Sequence, residues 1–510
     1  MSPSLNSRSL LPGLFAVLAA CSSPTPSGAA GGTSSASGGA PSNGGQSSSS
    51  GGTAGSGQGG NLSGGAPNEA GGSSALGGTT SVAGASASGS CELTAARLRV
   101  TEVDVGATVV QNEDEAALKV LALAPIPAGG SRLAWMSNDG KAHITELDAN
   151  DMVTGTSFAL PAMDFGDIYA DSTGGVLLAT RDAQGGGTLN CGEPTNLCGT
   201  PPSPAIPCYD MYMVRFDGGS ETWATKLTNS SAALPPYSTG KTGSNVYMIW
   251  WYAHHGRIAS DGTNFAAYFG SAISVSQSGC INIHQGDRMK VVGPGGALQS
   301  AGFDWGCSHS GYERILWDPS TKKYVTVCQN DAPTSGKSGR LAYAPATSTM
   351  LPVNLRYSNV GNVVLAKGGG YWLTVSDVRD GQPADADGFA DVHLLHFSSG
   401  APDKNLVLAN DATLNARAPH LASYGADGLV AAWETSTAKG QLTTRSAGRT
   451  LYLQSLDAVS GAARGAPLAA GVAGNRYVEF KSYPDGSVAF PAAGSSATKI
   501  KIARVLPCSQ

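Results

Sequence analysis

The sequence predicts an all-β fold, a seven-bladed β-propeller closed by an N-terminal strand, and three observations carry that expectation. Short runs of Val, Ile, Leu, Tyr and Trp are broken by Gly, Asp, Asn and Pro, and no amphipathic helix exceeds about two turns. A unit of two hairpins recurs with turns spaced about 45–60 residues apart. The last unit holds only three strands, which leaves one place for a strand from the other end of the body.

The first hairpin of each unit is the inner one. These hairpins are Leu118–Asn138, Asp167–Arg181, Gly256–Gly270, Tyr312–Gln329, Val360–Ser376, His420–Glu434 and Arg476–Pro491. They turn on tips such as Asp261-Gly262, Asp318-Pro319, Asp427-Gly428 and Asp485-Gly486, where Gly or Pro supplies the turn geometry. A second pair of strands follows, for example Met211–Leu227, Val392–Leu408 and Thr450–Leu468. One long insertion separates Asp182 from Ala253. In the last unit the strands are Arg476–Tyr483, Ser487–Ala493 and Lys499–Leu506, and Arg97–Val105 is the expected fourth. Cys91 and Cys508 then lie just beyond the ends of two paired strands, so a Cys91–Cys508 disulfide is expected. Segments such as Ala418–Glu434 followed by Thr450–Asp457 resemble the blades of secreted bacterial propellers, a resemblance of fold and not of function.

Three domains follow from composition. Residues 1–21 read as a secretion signal, with Arg8 before a short apolar run over Leu10–Ala20 that is too short to span a bilayer. Leu18-Ala19-Ala20-Cys21 resembles the lipobox of bacterial lipoproteins. That resemblance implies lipidation (palmitate included) at Cys21, and Ser22 after it implies outer-membrane sorting. The expected location is therefore the cell envelope, with the body in the periplasm or on the cell surface. Residues 22–90 contain 40 Gly or Ser, one charge (Glu69) and no aromatic ring. Such a segment cannot bury enough apolar surface to offset its ordering entropy, so it reads as a disordered tether. Residues 91–510 are the folded body.

Net charge is −5, with 32 Lys+Arg against 37 Asp+Glu, which argues against nucleic acid as a partner. Nine cysteines less Cys21 leave eight, an even number suited to an oxidising compartment. Cys307 precedes an inner hairpin and Cys328 ends it, so these two are expected to pair. Cys191, Cys198, Cys208 and Cys280 admit three pairings, and the sequence does not choose among them.

In a propeller, the links between sheets and those between second and third strands leave by one face, and the hairpin tips leave by the other. The first face, here the incoming face, receives the long and unusual loops, including Ser271–Asp287 and Gly302–Gly311. Residues that begin an inner strand ring the mouth of the axial channel. His254, His255, Arg257, His284, Gln285, His309, Tyr312, Arg314 and His420 can converge there, flanked by Trp251, Tyr252 and Trp305. Imidazoles can ligate a metal or move protons, and Arg can clamp a carboxylate. The plain alternative is that these groups tie neighbouring sheets together through hydrogen bonds. His143, His393 and His396 fall on third strands and read as structural. Asp385, Asp387 and Asp391 resemble part of a calcium loop, with oxygens at alternate positions around Gly388.

The leading expectation is a lipid-anchored protein that binds an extracellular glycan, peptide or surface partner, with Trp251, Tyr252, Arg257, Trp305 and His420 as contacts. The alternative is a metal-assisted extracellular polysaccharide lyase or hydrolase. It would use His254, His255, His309, Tyr312 and Arg314 in catalysis, and His254, His284, Gln285 and His309 around a divalent metal. Some polysaccharide lyases are seven-bladed propellers of that kind, and this chain resembles them in fold and residue types only.

Overall fold

A computed structural model describes residues 91–508, apart from 114–117, 183–208, 229–246, 249–255, 278–279, 304–306, 308–310, 331–337, 344–346, 351–358, 380–387, 399–401, 441 and 443–447. The strands form seven antiparallel sheets of four or five strands, and the described residues hold only one short helical turn, Ala95–Arg97. Among them, no helix is long and apolar enough to cross a membrane.

Numbered in chain order, the sheets begin with inner strands Ala122–Pro125, Asp164–Ala170, Arg257–Ser260, Gly311–Asp318, Val360–Leu365, Asn415–Tyr424 and Lys481–Ser482. Each inner strand packs beside the next, and that of sheet 7 packs beside that of sheet 1. The arrangement is a β-propeller. Sheet 1 carries an extra strand, Val109–Val110, and sheet 3 another, Tyr247–Met248.

Burial explains the strand sequences. A second strand is covered on both faces by neighbouring sheets, so all nine residues of Gly428–Ser436 are buried. Outermost strands meet water, and Lys404–Ala409 and Leu298–Phe303 are largely exposed. The cores lie between adjacent sheets. Val176, Leu178, Met213, Ala267 and Phe269 fill the gap between sheets 2 and 3, and Leu133, Trp135, Ile500 and Ile502 fill that between sheets 1 and 7.

The ends of the body meet in sheet 7. Leu98–Asp104 pairs antiparallel with Lys499–Val505 along its whole length, and Cys91 is disulfide-bonded to Cys508 across 417 residues of sequence. Asp151, wholly buried in sheet 1, reaches across this seam. It accepts Arg504 Nη2 at 2.6 Å and Arg99 Nη2 at 2.8 Å, one guanidinium from each of the two paired strands. Cys307 and Cys328 are also disulfide-bonded.

Two expectations are corrected by the strand bounds. Ser271–Asp287 is not a loop: strands Phe265–Gln277 and Cys280–Val292 run through it as one long hairpin. The alternation of Ile273, Val275, Ile281 and Ile283 with Ser274, Ser276, Asn282 and His284 is the cause, since a two-residue period is strand patterning. The last unit's inner strand also shrinks to Lys481–Ser482. Residues 1–90, with Cys21 and the tether, lie outside the described residues, as do Cys191, Cys198 and Cys208.

Two predictions follow from the seam. Removing the terminal disulfide in a Cys91→Ser/Cys508→Ser variant lowers unfolding free energy by about 2–5 kcal/mol in denaturant titration. An unchanged midpoint would refute its role in closure. Asp151→Asn keeps a side chain tolerant of the residue's φ of 65° but removes the buried negative charge that two guanidinia share. It costs about 3–5 kcal/mol by the same measurement.

Candidate functional site at the propeller axis

Four inner strands break register at the same level: between Phe165 and Asp167, Gly311 and Arg314, Val360 and Val363, and Arg417 and His420. A bulge inserts a residue and re-aims the side chains that follow it. Tyr312 and Ala418 take positive φ values of 61° and 51° within these bulges. Gly361 is required at the third, because a Cβ there would lie 2.8 Å from the Pro419 carbonyl oxygen of the next sheet.

The bulged strands gather a buried charge cluster. Lys481 Nζ lies 3.1 Å from Asp167 Oδ1 and pairs closely with Glu479. Arg257 Nε stands 3.4 Å from Glu479 Oε2, and its other nitrogens donate to the carbonyls of Gly166, Gly256 and Tyr477. Asn362 Nδ2 donates to Glu479 Oε1 at 3.0 Å, and the Ile258 amide donates to Asp167 Oδ2 at 2.9 Å. Burial opposes charge on Lys481 and Glu479. Their mutual attraction outweighs it, with Asp167 also raising Lys481 and Arg257 also lowering Glu479, so both stay ionised.

Arg314 differs from Arg257. It is 2% exposed, its Nη1 donates only to the Glu313 carbonyl at 3.0 Å, and its Nε has no hydrogen-bond partner. Among the described residues no carboxylate oxygen comes within 4.0 Å of it. Its guanidinium lies 5.5 Å from the Tyr312 ring centroid. Burial first, then the like charge of Arg257, pushes its pKa down to about 9.

The other expected site residues divide. Tyr312 is buried; its hydroxyl accepts Asn359 Nδ2 at 2.7 Å, and its ring stacks on Tyr477. His420 is wholly buried against Phe480, with ring centroids 4.4 Å apart. Arg257 likewise ties sheets 2, 3 and 7 together. Asp391 is bound by Arg379 at 2.6 Å, which takes the carboxylate expected for calcium. Asp385, Asp387, Trp251, Tyr252, His254, His255, Trp305 and His309 lie outside the described residues. His284 and Gln285 sit within a strand opposite Ile273 and Ala272, not in a loop. His143, His393 and His396 are structural as expected, bonded to Asp139, Asn405 and Asp403.

Asp287, Cys307 and Cys328 bring ligand-type atoms within 4.8 Å of one another. The sulfurs are disulfide-bonded, and Asp287 accepts the Cys307 amide at 2.7 Å, so these groups do not form a metal site. Asp167, Glu479 and Lys481 were not singled out from the sequence. Their signal is the placement of Tyr477, Glu479 and Lys481 at alternate positions, on one face of an extended segment.

No family model matches the chain, and none of the curated proteins matches it. Among solved structures, the α-L-arabinanase of Penicillium chrysogenum complexed with arabinobiose is similar at 12% identity, covering 70% of this chain and 98% of that one, with a TM-score of 0.38. A puromycin-hydrolysing peptidase of Mycobacterium tuberculosis is similar at 12% identity, covering 76% of this chain and 52% of that one, with a TM-score of 0.41. The Dos1 propeller is similar at 10% identity, covering 73% and 74%, with a TM-score of 0.37. These likenesses concern the fold alone.

His420 makes the axis sensitive to acid. Burial, then Arg314 and Arg257, push its pKa down to about 3, whereas the unfolded chain has the ordinary value near 6.5. Between those values the unfolded state binds the extra proton, so this contribution to stability is intact above pH 6.5 and is lost as pH falls toward 3. Its slope is at most about 1.4 kcal/mol per pH unit. Denaturant titrations of the parent and His420→Phe at pH 4 and 7 should show a smaller pH difference in the variant.

Proposed function

We propose that this protein is a lipid-anchored binding protein whose propeller takes the anionic group of an extracellular glycan, peptide or surface partner at its axis. In this reading each of the seven sheets is one blade of a single closed ring, and residues 22–90 tether that ring to an outer membrane. The lipobox-like Leu18-Ala19-Ala20-Cys21 and the Gly/Ser composition of the tether support the anchoring.

The observation that carries the binding reading is Arg314, a buried guanidinium in no direct ion pair with a carboxylate among the described residues. Glu479 and Glu313 attract Arg314 through space, yet among the described residues no carboxylate oxygen is bonded to its guanidinium. A carboxylate brought by a ligand would supply the counter-charge and two coplanar acceptors that suit a guanidinium. A uronic acid or an acidic side chain has that chemistry.

The test titrates the full mature chain with oligogalacturonate and with a poly-glutamate peptide. Saturable binding of at least one is expected, weakening with added salt. It should be roughly tenfold or more weaker in Arg314→Gln, the size of a charge-assisted hydrogen bond. Exhaustive chelation should leave binding unchanged, because a guanidinium and not a metal supplies the positive charge. Binding indifferent to Arg314→Gln would overturn the reading, and chelator-sensitive cleavage of the oligogalacturonate would favour a metal-assisted lyase.

A further inference from the structure

A second site lies on the opposite face, among the hairpin turns of sheets 2 and 3. There a cleft of about 620 Å³ is lined chiefly by Asp171, Arg215, Asp217, Trp223, Thr263 and Phe265. Nothing in the axial reading uses it.

Arg215 stands between the two carboxylates, in close ion pairs with both Asp171 and Asp217. Its Nη2 also donates to Thr173 Oγ1 at 2.9 Å. Asp171 further accepts the amides of Thr173 and Gly174, each at 2.9 Å. Burial opposes the charge on Asp171, yet these bonds hold its carboxyl well below the usual range, and Arg215 does the same for Asp217. Both groups are therefore fixed as acceptors, and the Asp217 side chain keeps 37% of its surface open to water.

One wall is aromatic and rigid. Trp223 Nε1 donates to the Pro294 carbonyl at 3.0 Å. Gly296, with φ +85°, backs the indole so closely that a Cβ there would lie 3.0 Å from its Cγ. The Trp223 and Phe265 ring centroids are 6.4 Å apart. Thr263 caps the far side from the exposed Asp261–Asn264 turn. Its amide is held by Asp261 at 2.8 Å, while its hydroxyl has no bond to the described residues.

These features select among ligands. A metal ion between the carboxylates is excluded because the guanidinium occupies that position. An anion would meet two carboxylates against one arginine. A wholly apolar guest would strip water from the Asp and Thr rim without replacing its hydrogen bonds. A neutral polyol ring satisfies both walls, with hydroxyls on Asp217 and Thr263 and an apolar C–H face on Trp223. We propose that this cleft binds a neutral saccharide unit through fixed carboxylate acceptors and the Trp223 indole.

The experiment titrates the full mature chain with xylotetraose, cellotetraose and maltotetraose, read by tryptophan emission and saturation-transfer NMR. Saturable binding of at least one is expected, weakened roughly three- to tenfold in Trp223→Ala, the size of one aromatic contact. Thr263→Trp places bulk in the cleft from an exposed turn, leaves the packed wall alone, and should abolish binding. The proposal is overturned if no oligosaccharide saturates, or if Thr263→Trp leaves binding intact. Loss of saccharide binding in Arg314→Gln but not in Thr263→Trp would put the sugar at the axis and overturn it equally.

Discussion

The structure depends on joining the two ends of the body in one sheet. A propeller is a ring of sheets that each bury both faces against neighbours, so an open seam would expose two apolar faces at once. Here the seam is closed by three different interactions. Backbone pairing of Leu98–Asp104 with Lys499–Val505 supplies the missing strand. The Cys91–Cys508 bond keeps that strand from drifting away when the pairing opens. Asp151 supplies the electrostatic part, since its one carboxylate holds Arg99 of the incoming strand and Arg504 of the last strand. Arg504 also lies over the Tyr483 ring, 3.9 Å from its centroid, and Tyr483 bonds Ser131 of sheet 1 at 2.7 Å.

Closure has a consequence at the axis. Inner strands of neighbouring sheets pack side by side there. The fold puts charges there, and the bulges accompany that by shifting Asp167 and Arg314 out of ordinary strand register. Arg257 shows how such charge is held: its donors end on carbonyls of three different sheets. The axis is thus part of the mechanical link between sheets, and Arg314 is the member with no direct ion pair among the described residues.

Much of this was legible in the sequence, and the failures have physical causes. Strand alternation and turn chemistry are local, so the hairpins and the three-strand last unit could be read directly. The Cys91–Cys508 and Cys307–Cys328 pairs then followed from topology alone. The axial charges were only half visible. Arg257 and Arg314 stand out because they lie at the start of inner strands, but Glu479 and Lys481 are single charges in a segment too short for its alternation to mark a strand. The burial of His420 is not legible locally, because it depends on what packs opposite, here Phe480, 60 residues away in sequence. The cleft at Trp223 was invisible for a related reason. Its Asp, Thr and Gly residues are ordinary turn formers, and only the pairing of two sheets brings them to one wall.

The two faces therefore divide by electrostatic logic. On the axis, burial makes every unneutralised charge costly, so in the proposed reading a guanidinium without a direct ion pair favours an anionic partner. Among the hairpin tips the carboxylates are partly wet and already held by Arg215, so no counter-ion is demanded and the remaining capacity is for hydrogen bonds. A site of the first kind discriminates by charge and responds to salt; one of the second kind discriminates by shape and hydroxyl pattern and is nearly indifferent to salt. Under the two proposals together, a polymer that carries acidic and neutral units would be read by both faces, each taking the part that the other cannot.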